Sequence, residues 1–495
     1  MKTMKKILII LILLNSLNVC SQETLTLDKA LHSYIYQTIA VKTAFLKYEN
    51  ARMEYENYQK KFLPSFELTV SPLAFNRSMR LLQDPQNGNY QNIEDYSNTS
   101  FAGLSVVQQI GPLGGTLTAY SSLSFLREFS RSSNSFSSMP FSVSYTQPLV
   151  GSYKRYKYEH ELKRLEFEAA EREFCSAFTK EQQKILKQYM DAYSCMLREE
   201  SGQRNILISD TLLAFAKQRY QFGYITEYEY RQVEIQQLEQ RISLDQARHE
   251  YEQAISALCT ELNIQKTSIK EPPISSLPLS ITKEEVMERV HQNNPILRSI
   301  HLKEEQARLS LFEARLSTRF NASLSVSYGL NQYAPTFHEA YRRPDQRQAI
   351  SLTFSIPVFQ WGINRNIRRI AENNYQTAIM ELEKEQGAIE NEISQIYYKF
   401  IFSSSTHGMS CRYYEMSKKH YNLAIEMFKH GKVSLYDVFS AYKNQQESMQ
   451  QLFESVRSMY ASYYAIKEMT LYDYVSRKNL SDMIHDDGEK KREVF

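Results

Sequence analysis

Proline is missing from long stretches of this chain. None follows Pro357, and none falls between Pro148 and Pro272. Glycine is scarce in the same places: Ser152 to Phe222 holds one, Gly202, and Ile363 to His430 holds two, Gly387 and Gly408. Without these residues little punctuates a helix. What remains is rich in Glu, Lys, Gln, Leu, Ala, Tyr and Arg, mostly good helix formers. The two stretches predict helices of about 70 residues, about 100 Å long at 1.5 Å per residue. Globular proteins seldom use more than about 15 residues per helix, so the pattern points to coiled-coil-like bundles.

Other absences narrow the class. Only one long apolar run exists, at the N-terminus, mean hydropathy is −0.49, and 23% of residues are charged. That excludes a polytopic helical membrane protein. A surplus of one charge is lacking too: once the leader is set aside, 56 basic residues face 56 acidic ones. Nucleic acid, which calls for a basic excess, is therefore not an expected partner. The five cysteines make no disulfide framework. Cys175 and Cys195 fall in one expected helix, about 30 Å apart, and no CxxC or Cys/His cluster suggests a metal site. Free thiols packed as small apolar residues are expected. GxGxxG, P-loop, GxSxG and HExxH motifs are all missing, and the ten histidines are scattered along amphipathic segments. The expectation is a protein that is not an enzyme and carries no cofactor or metal.

What is present begins with a leader. Lys2, Lys5 and Lys6 precede the apolar run Ile7 to Leu14, the layout of a secretory signal peptide over residues 1–21. Cleavage after Ser21 is expected. The rival is lipidation of Cys20, since Leu17-Asn18-Val19-Cys20 resembles a bacterial lipobox, although Val19 is a poor residue in that position. Either route exports the chain.

The sequence also repeats itself. FSVSYTQPLVG (141–151) matches ISLTFSIPVFQWG (350–362), with Pro148 over Pro357 at an offset of 209. AKQRYQFGYITEYEY (216–230) matches AIEMFKHGKVSLYDV (424–438), with Gly223 over Gly431 at an offset of 208. Two motifs about 75 residues apart that keep their offset within one residue mark an internal duplication. Repeat 1 spans 22–270, the linker EPPISSLP 271–278, repeat 2 279–476, and a polar tail 477–495. Each repeat opens with an expected helix, 26–62 or 280–318, the second capped by Ser280 or Thr282 with a Thr282-x-x-Glu285 capping box. Repeat 1 carries roughly 48 extra residues, among them an expected hairpin at about 101–127 turning on Gly111 to Gly115.

Four segments alternate with period two. Phe66, Leu68 and Val70 share one face, as do Phe141, Val143 and Tyr145, then Leu324, Val326 and Tyr328, then Ile350, Leu352, Phe354 and Ile356. Ser and Thr dominate the opposite faces. Such strands fit a half-buried soluble sheet or a membrane β-barrel with its apolar face to lipid. The exported context favours the barrel. Four strands cannot close one of useful width, so copies of the chain are expected to share it. The segments 39–63 and 297–320 carry apolar residues at helical spacing on otherwise charged helices, which suits a helical bundle or a tubular α-barrel.

The FLPS at Phe62–Ser65, the TQPLVG and SIPVFQWG strand exits, and the two glycine breaks followed by Ile225-Thr226 and Val433-Ser434 together resemble the TolC-type outer-membrane factor family. The resemblance runs from about Leu25 to Tyr474. It implies an α+β membrane protein and an obligate homotrimer: short strands forming a twelve-stranded barrel in outer-membrane lipid, and very long helices forming a periplasmic α-barrel. It implies a passive exit duct for efflux or type I secretion, joined to an inner-membrane transporter through a periplasmic adaptor. It places Gly223, Thr226, Gly431 and Ser434 at helix tips where the adaptor docks. It makes Glu229 and Asp437, with Tyr220 and Phe428, a periplasmic gate, although Ser440 stands where the family can carry a second acid. Pro148, Gly151, Pro357, Trp361 and Gly362 become strand-to-helix junctions at the membrane boundary. The extra hairpin either decorates the extracellular mouth, the preferred reading, or adds strands to make eighteen in a trimer. An exported structural or adhesive scaffold without a channel is the alternative function.

Overall fold

The computed structural model describes residues 24–83, 90–129, 132–272 and 281–482. The signal peptide with Cys20, the linker residues 273–278 and Ser280 lie outside the described residues. The chain forms two compact units, one built from the chain up to Tyr48, Ala170–Pro295 and the chain from Gln386, the other from Glu49–Ala169 and Ile296–Glu385.

In chain order the elements are α1 (Leu27–His32), α2 (Ile39–Lys60), β1 (Ser65–Gln83), β2 (Tyr90–Ile110), β3 (Gly115–Glu128), β4 (Ser133–Pro148), α3 (Ser152–Gln221) and α4 (Glu227–Glu261). Then follow α5 (Lys283–Asn293), α6 (Pro295–Ser317), β5 (Asn321–Ala334), α7 (Glu339–Arg342), β6 (Asp345–Ser355), α8 (Ile363–Lys429), α9 (Leu435–Thr470) and the two-residue strands β7 (Tyr472–Asp473) and β8 (Lys478–Asn479). The expected long helices are present: α3 has 70 residues and α8 has 67.

The opening helices are not continuous, contrary to expectation. After α1 a 3₁₀ turn, Tyr34–Gln37, intervenes, and Thr38 restarts the helix by accepting from the Val41 N–H at 3.4 Å. In repeat 2 the break is Asn294-Pro295: proline disfavours helical geometry in the residue before it, and Asn294 adopts φ −58, ψ 125. Its amide donates to the Met469 carbonyl at 3.2 Å. Thr282 caps α5 as expected, its hydroxyl accepting from the Glu285 N–H.

The helical unit is closed by two polar clamps. The Tyr189 hydroxyl, wholly buried, lies between the carbonyls of Leu25 (2.9 Å) and Lys270 (2.5 Å) and shares its one proton between them, holding together two chain segments that also meet as a Leu25–Ile269 bridge. At the C-terminal end Lys467 pairs with Asp473 at 3.0 Å, and both are buried. The Tyr463 hydroxyl donates to the same carboxylate at 2.7 Å, as does the Val475 N–H at 2.9 Å. Burial alone would raise Asp473, yet Lys467 and these donors hold its pKa below the usual carboxylate range. The tail does not begin at 477 as expected. β8 pairs with β7, and Leu480 packs on Cys175 and Leu471.

The second unit is a six-stranded antiparallel meander in the order β1-β2-β3-β4-β5-β6. It is an open sheet, not a closed barrel. Strands are longer than the alternating segments suggest because proline interrupts the pattern without ending the strand. Pro72 and Pro140 each sit at a register irregularity, between Ser71 and Ala74 and between Ser138 and Phe141. A bulge tolerates a residue with no N–H to give. β6 ends at Ser355, so Ile356 lies beyond the strand.

The extra hairpin proves to be β2 and β3. These strands pair without irregularity from Ser97–Glu128 to Ile110–Gly115 and are central to the sheet. In the single chain the hairpin is part of the sheet itself. The Gly111–Gly114 turn lies at the helix-bearing end: a Cβ on Gly111 would strike Tyr156 and Phe62, and one on Gly114 would strike Ser152.

The Lys467–Asp473 clamp is open to test. Lys467→Met strands a buried carboxylate, at a cost of about 3 kcal/mol, and thermal unfolding is expected to show it. Asp473 is depressed in the folded state, so its contribution is present above the unfolded carboxylate pKa and lost as pH falls through the folded one. The midpoint difference between wild type and Lys467→Met should accordingly shrink on acidification; a constant difference would mean the clamp is not ionic.

Candidate functional site

Directly opposed residues on antiparallel strands share a face. Followed through the register, Phe66, Val106, Ala119, Val143 and Tyr328 form one unbroken apolar row across five strands. Leu117, Tyr145, Val326 and Ile350 form a second. On the opposite face run Thr116, Thr146, Ser325 and Ser351, and beside them Thr118, Ser144 and Ser327. Thr146 and Ser325 are 3.4 Å apart at their hydroxyls. A slip of one residue on any strand would scramble both faces, and none occurs along these rows. The apolar face is uncovered, with Phe66 74% and Ile350 77% exposed. A patch of that extent marks contact with a membrane or a partner.

The predicted junction residues lie between strand and helix. β4 ends on Pro148 and α3 begins at Ser152, with Gly151 at φ +76. A Cβ there would meet Leu316 and Phe312 of α6. Between β6 and α8 the turn uses two left-handed residues, Trp361 (φ +50) and Gly362 (φ +83). Trp361 is exposed and packs edge-on to Phe359, ring centres 4.8 Å apart. Around the hairpin turn, Phe62 is held between Tyr58 and Tyr156, and the Gln147 amide donates to the Leu113 carbonyl.

The two helix breaks are built alike. Gly223 takes φ +73, its N–H donating to the Tyr220 carbonyl and that of Tyr224 to Arg219. Gly431 takes φ +74, with Gly431 donating to Phe428 and Lys432 to Met427. Both are Schellman closures, which need a residue without a Cβ penalty at the left-handed position. Each is followed by a capping box: Thr226 with Glu229, and Ser434 with Asp437. Glu229 accepts from the Thr226 N–H at 2.7 Å, and Asp437 from the Ser434 hydroxyl at 2.6 Å. The Thr226 backbone, then its hydroxyl, pulls the Glu229 pKa down; the Ser434 hydroxyl, then its backbone, does the same for Asp437. Both acids are exposed and charged, and both are cap residues.

The other two expected gate residues diverge. Tyr220 is partly exposed and stacks on Tyr230 at 5.4 Å. Phe428 is 5% exposed and packs with Leu212, Tyr421, Ile425 and Val438 in a core cluster. The Arg219 guanidinium lies 5.1 Å over its ring and donates to its carbonyl. Phe428 is thus a packing residue of the tip.

Sequence reasoning missed the aromatic surface around the first break. Phe222, Tyr224 and Tyr228 are each three-quarters or more exposed. Their signal was present in YQFGYITEYEY. At the second break the equivalents are His430, Lys432 and Tyr436, so one tip is aromatic and the other mainly basic.

Among the described residues the one group with metal-ligand character is His301, Glu304 and Glu305 on α6. Arg308 donates to both glutamates, so a cation of the protein's own already serves them. No helix among the described residues is long and apolar enough to cross a membrane.

Comparison with known proteins agrees with this geometry. Residues 286–470 match the family model of the outer membrane efflux protein. The fold is similar to the Campylobacter jejuni CmeC outer membrane channel (TM-score 0.59, 16% identity, 91% of this chain and 88% of that one). It is similar to the Vibrio cholerae outer membrane protein VceC (0.61, 13%, 90% and 95%). It is also similar to the open state of the Neisseria gonorrhoeae MtrE outer membrane channel (0.58, 15%, 90% and 88%). No curated protein matches in sequence.

The capping boxes carry a pH signature. Their carboxylates are depressed, so the caps hold above the ordinary carboxylate range and are lost as pH falls below it. Amide exchange at residues 227–232 and 435–440 is expected to accelerate there relative to mid-helix amides. Thr226→Ala or Ser434→Ala should cost about 1 kcal/mol and reproduce the acceleration at neutral pH in its own tip only; uniform exchange would refute the assignment.

Proposed function

We propose that this chain, a TolC-type outer-membrane protein by its family match over residues 286–470 and by its fold, forms a homotrimeric exit duct. It resides in the outer membrane and extends into the periplasm. The sheets of three copies close a β-barrel in the lipid, and the long helices form a periplasmic α-barrel. The duct is passive, serves a tripartite efflux or type I secretion system, and opens at its helix tips when a periplasmic adaptor and inner-membrane transporter engage. Gly223, Thr226, Gly431 and Ser434 shape the tips that the adaptor meets.

One observation carries the reading: an apolar face kept in register across the sheet, uncovered in the single chain, on a sheet whose two outer strands are paired on one side only among the described residues. Open sheet edges are not tolerated in hydrocarbon, and lipid is the solvent that an uncovered apolar face of this kind fits. The hydroxyl face then turns to water. At the tips, Glu229 and Asp437 are fixed as anions by their caps. Repeated around a threefold axis they ring a narrow opening with negative charge, which favours cations. Tyr220 completes that rim.

Purified trimers in a planar bilayer are expected to conduct as single channels. Well-folded trimers without conductance would favour the scaffold alternative and sink the duct. Glu229→Ala combined with Asp437→Ala is expected to lower cation selectivity severalfold, read from reversal potentials in a salt gradient. Unchanged selectivity would remove both acids from the gate while leaving the duct intact.

A further inference from the structure

We propose that the ring formed by three copies is eighteen-stranded, with β2 and β3 built into its wall and β6 of each copy paired with β1 of the next. The inference rests on the homotrimer reading above and specifies the surface by which the copies join. The partner is a second copy of this chain, and the contact is a strand edge.

Four observations support it. First, β2 and β3 are interior strands, with neighbours on both sides over residues 97–107 of β2 and 116–128 of β3. Second, they keep the face pattern of their neighbours: Val106 and Ala119 continue the apolar row from Phe66 to Val143. Strands laid over a mouth would have no reason to do so. Third, the Gly111–Gly114 turn is seated among Phe62, Tyr156 and Ser152 at the helix-bearing end, so β2 and β3 run the same course as the strands that feed helices. Fourth, the outer strands are β1 and β6 in a meander of six, so they run in opposite directions. Head-to-tail joining of copies therefore makes another antiparallel pair at each seam, and three copies of six close with no edge left.

Ring size agrees. Eighteen strands about 4.8 Å apart and tilted about 40° measure about 110 Å around. Each sheet unit is attached to four helices, α2, α3, α6 and α8, and twelve helices about 9 Å apart also measure about 110 Å. Twelve strands at the same tilt would give only about 75 Å. The bore of the wider wall is about half again that of a twelve-stranded ring.

Cryo-electron microscopy of the full chain, purified in detergent, decides the matter. Eighteen wall strands are expected. A threefold ring with twelve wall strands and the β2–β3 hairpin outside it would overturn this inference and leave the duct reading standing. Absence of a threefold ring would overturn both. A variant lacking β2 and β3 is expected to form a ring about one third smaller in circumference at the sheet; an unchanged diameter would count against the proposal. Should that variant not assemble, the strand count of the wild-type ring remains decisive.

Discussion

A backbone that leaves water must find partners for every N–H and C=O it carries. Among the described residues, the four inner strands of the sheet have neighbours on both sides, and the two outer strands on one side only. Most of what is distinctive in this molecule follows from that shortfall. In the proposed duct, the apolar face is uncovered in the single chain because its cover is lipid. Two of the strand-to-helix junctions turn on left-handed residues, Gly151 in one and Trp361 with Gly362 in the other.

Much of this was legible in the residues. The long helices were announced by missing proline and glycine, and both breaks by Gly223 and Gly431. The four alternating segments were read correctly as strands, and their faces matched across the sheet in the way their patterns implied. What the sequence obscured had local causes. Pro72 and Pro140 sit inside strands at bulges, so a rule that proline ends strands cut β1 and β4 short. Asn294-Pro295 and Thr38 broke helices whose amphipathic pattern runs on past the break. The hairpin strands β2 and β3 are legible as strands but not in their place, since pattern alone does not say which end of a sheet a turn occupies. That depended on the contact of Gly111 with Tyr156 and Phe62.

The tips show how a local rule and a functional role can share residues. Glu229 and Asp437 would stabilise even an inert hairpin, because each completes a capping box. The same hydrogen bonds fix their charge and position, which is what a gate would need from them. Phe428 drew attention through its spacing from Gly431, but spacing counts residues and not sides of a helix; its ring faces inward under Arg219.

The two helix breaks share one backbone geometry and carry different surfaces. Phe222 and Tyr224 at one correspond to His430 and Lys432 at the other. A closed ring of three copies would look sixfold to any probe of shape alone, and only threefold to a probe of chemistry. A partner arriving in six equal copies would find two unlike berths in alternation. It would have to bind them unequally, or change shape between them.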